Sequence, residues 1–317
     1  MSLGIIEKET QPTTAFDIAT QVTYLGTTDH GTFLYAGEAS KIFAVGNISN
    51  GGYTVSIALE AVLQRYAGRS QVDPIALNAF FLRKTLLTPV VIEVEDLKLS
   101  RMGYCLCKAS LKQRADAKVG DARLTRLEDY DPKDYLDKVV SVVTMGNIAN
   151  EKGVTHFHKL PSSHALDKTR VYQSDPNNFL PGVTRISLDT ACHRASSSTA
   201  RDPELHQVVE FVDQRPMDAK SLPFWCDMFS TPPSQLGTST WGGRLWGATM
   251  QMEVQFKRRL TPDDKQLAVS VTTHTIANSR FDIDGFVWDK QGQLICTTRH
   301  QCLALPWERN VKKETKL

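Results

Sequence analysis

A chain of 317 residues has room for one large domain or for two modules of about 150 residues, and either buries a sizeable core. Its apolar fraction of 41% and charged fraction of 23% are ordinary for a soluble globular protein. A net charge of +2 with dispersed Lys and Arg argues against nucleic acid as a partner, and no apolar run nears the roughly 20 residues of a membrane span. The N-terminus has no signal-peptide core, and the six cysteines lack CxxC spacing, so neither a zinc ribbon nor a redox motif is expected. Reduced thiols in a cytoplasmic protein with no metal or redox cofactor are the simpler reading. The final Thr315-Lys316-Leu317 weakly resembles the peroxisomal Ser-Lys-Leu address.

Residues 1–18 are polar and read as a loose lead-in. Strand character over Thr20–Ala36 is broken by the turn-like Thr27–Gly31. Asn50-Gly51-Gly52-Tyr53 then opens a helix to Tyr66, because Val55, Leu59, Val62 and Tyr66 recur at helical spacing and Ser49 or Asn50 can cap its start. A helix this apolar must be wrapped, and the strands expected at 76–82, 90–99 and 104–113 are the candidates. The charged stretch Lys112–Lys138 reads as a solvated excursion before a strand at Val139–Val143. Residues 150–182 are polar and irregular and read as a linker. His156, His158 and His164 lie in it without thiol or carboxylate partners at ligand spacing, and are expected at the surface.

A second module opens with a strand at Thr184–Cys192 and a small-residue loop over 194–202. Ser221–Phe229 then occupies the place of a second helix, with Pro223 at an early helical position and Pro232-Pro233 ending it. Four strands follow, at Ala248–Arg258, Leu267–Ile276, Phe281–Asp289 and Leu294–Ala304. The first alternates Met250, Met252, Val254 and Phe256 against Thr249, Gln251, Glu253 and Gln255. On the last, Cys296, Thr298, His300 and Cys302 share one face, while Arg299 and Gln301 take the other. A short repeat links the halves: Phe81–Lys84, Thr88-Pro89 and Ser100-Arg101 against Phe256–Arg259, Thr261-Pro262 and Ser279-Arg280. It argues for a duplicated module.

Asp227 is the lone acid among Phe224, Trp225, Cys226, Met228 and Phe229. Either it faces solvent on a short amphipathic helix, or it is held inside, where burial favours the proton-bound form and suits an acid or base. An acid on a helix, Thr249 beginning the next strand and a polar residue ending the last resemble the acyl-CoA thioesterase II family. The most specific pieces are Asn50–Tyr53, Ala248–Arg258 and Phe281–Gln301 with its Asp289-Lys290-Gln291-Gly292 turn. The resemblance implies an α+β double hot-dog, with two antiparallel sheets each wrapped round a central helix. Residues 1–149 and 183–317 would be its two hot-dogs, joined by 150–182.

In that family an Asp, a Thr and a Gln hold the water that attacks a thioester. By motif the Asp falls on Asp227 and the Thr on Thr249, but the Gln position carries His300. Gln301, one residue on, turns to the opposite face unless a bulge intervenes. The resemblance therefore implies hydrolysis of an acyl-CoA-like thioester, with Asp227, Thr249 and His300 catalytic and Asn50, Gly51, Gly52 and Tyr53 near the substrate or oxyanion. An Asp–His pair equally suits a dehydration, isomerisation or cyclisation of a polyketide-like intermediate, and a non-catalytic acyl-binding protein is a third reading. A small-molecule acyl substrate and a homo-oligomer are the partners implied.

Overall fold

The computed structural model describes residues 14–156, 163, 167–191 and 202–311. The first half runs α1 (Ala15–Thr20), β1 (Thr23–Thr27), β2 (Phe33–Glu38), the small ribbon β3 (Ala44–Val45) and β4 (Ile48–Ser49), α2 (Gly51–Tyr66), then β5 (Asp73–Phe81), β6 (Pro89–Lys98), β7 (Cys105–Arg114) and β8 (Tyr135–Gly146). The second runs β9 (Tyr172–Ser174), β10 (Thr184–Asp189), β11 (Glu204–Phe211), α3 (Leu222–Asp227), α4 (Thr238–Trp241), β12 (Leu245–Phe256), β13 (Gln266–Thr272), β14 (Ile276–Ala277), β15 (Arg280–Trp288), β16 (Leu294–Pro306) and α5 (Glu308–Val311).

The strands do not form two separate sheets. They join in one antiparallel sheet of order β1-β2-β6-β7-β8-β5-β12-β16-β15-β13-β11-β10-β9, with β14 paired to β15. Within that order the duplication is explicit. From its outer edge inwards, the first half reads β1-β2-β6-β7-β8-β5, and the second, inside its additional edge strand β9, reads β10-β11-β13-β15-β16-β12. Each is the same path: two strands, a helix, then a third strand that lands at the centre beside its counterpart. The central seam pairs Ala76–Phe80 of β5 with Gln251–Gln255 of β12. Phe81 and Phe256, matched in the sequence repeat, end these two equivalent strands.

The helices are less symmetric than expected. Asn50 caps α2 by accepting from the Tyr53 amide at 2.8 Å, and eleven of the sixteen residues are buried, on all sides. It rests on β2, β5, β6, β7 and β8. Its counterpart α3 has six residues and packs chiefly against α2. An aromatic cluster of Phe16, Phe43, Phe211, Phe224 and Trp225 fills the junction, with Tyr53 stacked on Phe43 at 4.5 Å. One hydrophobic core consequently draws on both halves.

Several sequence expectations change. The segment read as a loose lead-in contains α1, capped by Thr14, because Phe16 is driven into the aromatic cluster. Strand β11 was not expected, although Leu205, Val209 and Phe211 face the core at period two. Lys112–Arg114 belong to β7, where Lys112 pairs with Glu93 at 2.8 Å, so the charged excursion begins only after them. Within the stretch read as a linker, β9 pairs with β10. His156 is exposed, whereas His158, His164, Cys192 and Thr315–Leu317 lie outside the described residues. The other five cysteines are buried and free. Among the described residues no helix is long and apolar enough to cross a membrane.

Candidate active site

Asp227 is the last residue of α3, and the start of α2 is pressed against it. The Gly52 amide donates to Asp227 Oδ2 at 2.7 Å. Only glycine permits this approach. A Cβ on Gly52 would stand 2.3 Å from the Pro223 carbonyl oxygen and 2.7 Å from Asp227 Cβ, and one on Gly51 would stand 2.9 Å from Asp227 Oδ2. The Asn50-Gly51-Gly52 sequence thus supplies a cap and then two residues bare enough for a second helix to dock. Tyr53 has a different part. Its hydroxyl donates to the Ala19 carbonyl at 2.6 Å and accepts from the Ser40 amide at 3.0 Å, tying α2 to the N-terminal segment.

Thr249 reaches Asp227 through a β-bulge. In the β12–β16 ladder Thr249 pairs with Cys302, but Gln251 pairs with Gln301 and Met252 with His300. Met250 is the extra residue. Paired residues share a face, so Thr249 turns inward with Met252, Cys302 and His300, although strict alternation would place Thr249 opposite Met252. The bulge allowed for at Gln301 lies on the neighbouring strand. Gln301 pairs with Gln251 and Asp282 on the other face.

The Asp227 side chain is 13% exposed. Burial pushes its carboxyl up to about 7, while hydrogen bonds from the Gly52 amide and the Thr249 hydroxyl hold it down. The Cys302 thiol lies 3.7 Å from the Thr249 hydroxyl, and burial pushes that thiol up to about 12. His300 Nδ1 stands 3.9 Å from Asp227 Oδ1. Burial pushes the imidazole down to about 4, the Cys226 backbone opposing it, so the ring is neutral near pH 7. Its Nε2 lies 3.0 Å from the Thr298 hydroxyl, and the Phe229 ring covers it at 5.8 Å.

A cavity of about 330 Å³ opens onto this cluster. Asn50, Gly51, Asp227 and Thr249 line one side; Phe81, Phe229 and Met250 add apolar wall. Arg83 and Lys84 line it too, as do Phe179 and Trp307, whose rings stack at 5.8 Å. Gly52, Tyr53 and His300 are absent from the lining. The structure therefore brings Asp227, Thr249 and His300 together, but His300 sits behind Asp227 rather than in the cavity. Arg83, Lys84 and Thr298 were not singled out from the sequence. The first two were visible as the residues following Phe81 in the repeat; for Thr298 the only signal was its place on the face of His300. Among the described residues no group of His, Cys, Asp and Glu is arranged to hold a metal.

The chain is similar to known proteins over most of its length. The thioesterase-like protein TwmA of Talaromyces wortmannii is 23% identical over 321 residues, spanning 89% of this chain and 90% of the relative. A hot-dog-fold protein of unknown function from Alicyclobacillus acidocaldarius superposes with a TM-score of 0.70 at 17% identity, over 93% of this chain and 99% of that one. An acyl-CoA thioesterase II from Mycobacterium marinum superposes at 0.65 with 14% identity, over 92% and 98%. The fold is thus a hot-dog fold. Residues 39–127 match the acyl-CoA thioesterase N-terminal domain and residues 159–304 the C-terminal domain. With both domains matched in order along a sheet that repeats its own topology, the chain belongs to the acyl-CoA thioesterase family.

Proposed function

We propose that this protein hydrolyses an acyl thioester, with Asp227 as general base. The observation that carries the reading is a mostly buried carboxyl at the wall of a cavity beside a threonine, where burial pushes it up to about 7. A base of that pKa is about half ionised at neutral pH, so it can accept a proton there, and it draws one from water more strongly than an ordinary carboxylate. In the step proposed, ionised Asp227 takes a proton from a water held near Thr249 as the water oxygen bonds to the thioester carbonyl carbon. The C–S bond then breaks, and Asp227 returns the proton to the departing sulfur. Arg83 and Lys84 suit the phosphates of a CoA-type carrier at the same cavity. The two halves would be two hot-dog units, over 1–149 and 183–317, with 150–182 between them and α2 and α3 as their helices. Gly51 and Gly52 serve the site by admitting Asp227 to the start of α2.

The His300–Asp227 contact favours a second reading, a dehydration, isomerisation or cyclisation of a polyketide-like acyl intermediate by an acid–base pair. The burial of His300 behind Asp227 makes it the weaker one, because the ring cannot meet a substrate directly. The decisive assay follows thiol release from a panel of acyl-CoA thioesters by the native protein and Asp227→Asn. Asn keeps size and hydrogen bonding but cannot accept the proton, so turnover should fall roughly 10²–10⁴-fold. Equal rates for the two proteins would remove Asp227 from the chemistry.

A further inference from the structure

Behind Asp227 lies a chain of hydrogen bonds whose direction is set by its far end. The Thr298 hydroxyl donates to the Glu253 main-chain carbonyl at 2.7 Å. A hydroxyl has one proton, and that one is committed across the β12–β16 ladder. The 3.0 Å contact between Thr298 and His300 Nε2 must then run the other way, from ring N–H to hydroxyl oxygen. A neutral imidazole with its proton on Nε2 has a bare lone pair on Nδ1. That Nδ1 makes no hydrogen bond among the described residues, is fully buried, and faces Asp227 Oδ1 at 3.9 Å.

We propose that Thr298 is a positioning residue that locks His300 in the Nε2–H tautomer, so that its Nδ1 lone pair, and not an N–H, faces Asp227. The inference rests on Asp227 being the base of the proposed hydrolysis. It adds a reason why that base holds its proton near neutrality beyond burial alone. An acceptor facing a carboxylate disfavours the anion, whereas a donor in the same place would favour it. The other groups facing the couple leave it isolated. From α2 comes the Gly52 amide, from β12 Thr249, from β16 Cys302, and from α3 the Cys226 backbone, while the Cys226 thiol lies 3.7 Å from that of Cys296. Burial raises the Cys302 and Cys296 thiols, so both stay neutral at the pH of interest. Lys257 lowers the Cys296 thiol, and Asp227 and Asp282 raise that of Cys302. The Cys226 backbone is the group that would favour the opposite tautomer, and under the proposal Thr298 outweighs it.

Imidazole ¹⁵N resonances of the native protein at neutral pH read the tautomer directly. Protonated Nε2 with bare Nδ1 is the expected result, and a protonated Nδ1 would overturn the proposal. Thr298→Val keeps the shape and removes the acceptor. It should populate the Nδ1–H form, which donates to Asp227 and moves the carboxyl titration, followed by ¹³C, down by about one pH unit. The midpoint of kcat/KM should move with it while KM stays put. Thr298→Ser should restore native values. A folded Thr298→Val with an unmoved Asp227 titration contradicts the lock. Both NMR readings need no substrate, so they stand or fall separately from the hydrolysis assay; if Thr298→Val does not fold, the native ¹⁵N spectrum still decides.

Discussion

Asp227 combines two demands that pull in opposite directions. Its carboxyl is raised to about 7 by burial, against an ordinary value of 3.8. Below pH 3.8 the group is neutral whether the chain is folded or not, and it costs nothing. As pH rises from 3.8 to about 7, the unfolded chain gives up a proton that the folded chain keeps, so stability falls, and above 7 the folded chain holds a buried anion at the full cost. His300 works the other way. Its value is lowered to about 4, so the unfolded chain binds the extra proton between roughly 4 and 6.5, and stability rises with pH across that window. The two offset each other up to about pH 6.5, above which the Asp227 cost stands alone. Asp227→Asn should therefore lose most of its activity yet be more stable than the native protein at pH 8, by at most roughly 4 kcal/mol, and by less at pH 5. Thermal melts at the two pH values check this, and a destabilised variant at pH 8 would contradict it. The native rate should also climb with pH through about 7, because only ionised Asp227 accepts a proton. His300→Gln tests the choice of reaction. It should keep thioester hydrolysis within about tenfold, since Gln is not a titrating partner that hydrolysis needs. A non-hydrolytic acid–base reaction would collapse in the same variant, and both activities can be measured side by side.

Two elements carry the geometry of the site. The bulge at Met250 turns Thr249 inward while keeping Met252, Val254 and Phe256 in the core. Thr249→Val should keep the bulge and its register while removing the hydroxyl beside Asp227. The expected result is a folded protein with hydrolysis impaired, and retention of the native rate would show that Thr249 is dispensable. The close docking of α3 on α2 is the second device. Gly52→Ala forces a methyl into the Pro223 carbonyl and the Asp227 side chain, so it should cost about 1–3 kcal/mol and displace the carboxyl it serves. Phe224, fully buried among Phe16, Phe43, Phe211 and Trp225, anchors α3 from the opposite side.

At the scale of the molecule, the halves repeat one path but do not divide the core. The β5–β12 seam, the α2–α3 contact and the aromatic cluster all cross the junction. Residues 14–150 expressed alone would carry an unpaired β5 edge and an uncovered start of α2, and should be aggregated or loosely packed. Circular dichroism and limited proteolysis would test this. A soluble fragment with a cooperative melt would show that the first half is self-sufficient.

Local chemistry made much of this visible beforehand. The cap and glycines at Asn50–Gly52, the apolar helix that follows, the strands of the second half, the Asp289 turn and the repeat all depend on neighbours in sequence, and period and turn chemistry disclose such features. The sequence also placed His300 rather than Gln301 on the inward face of β16, because that strand keeps its alternation there. Tertiary structure decided the rest. Strand β11 and helix α1 earn their places through partners distant in the chain, Phe16 above all. Whether the sheet closes as one or two depends on the β5–β12 seam, which no local pattern records. The bulge at Met250 is a property of the ladder between two strands, not of either strand. Most of all, the environment of Asp227 is set by residues 175 and 73 positions away, Gly52 and His300. A pKa is fixed by what surrounds a group in space, and chain neighbours alone do not supply that.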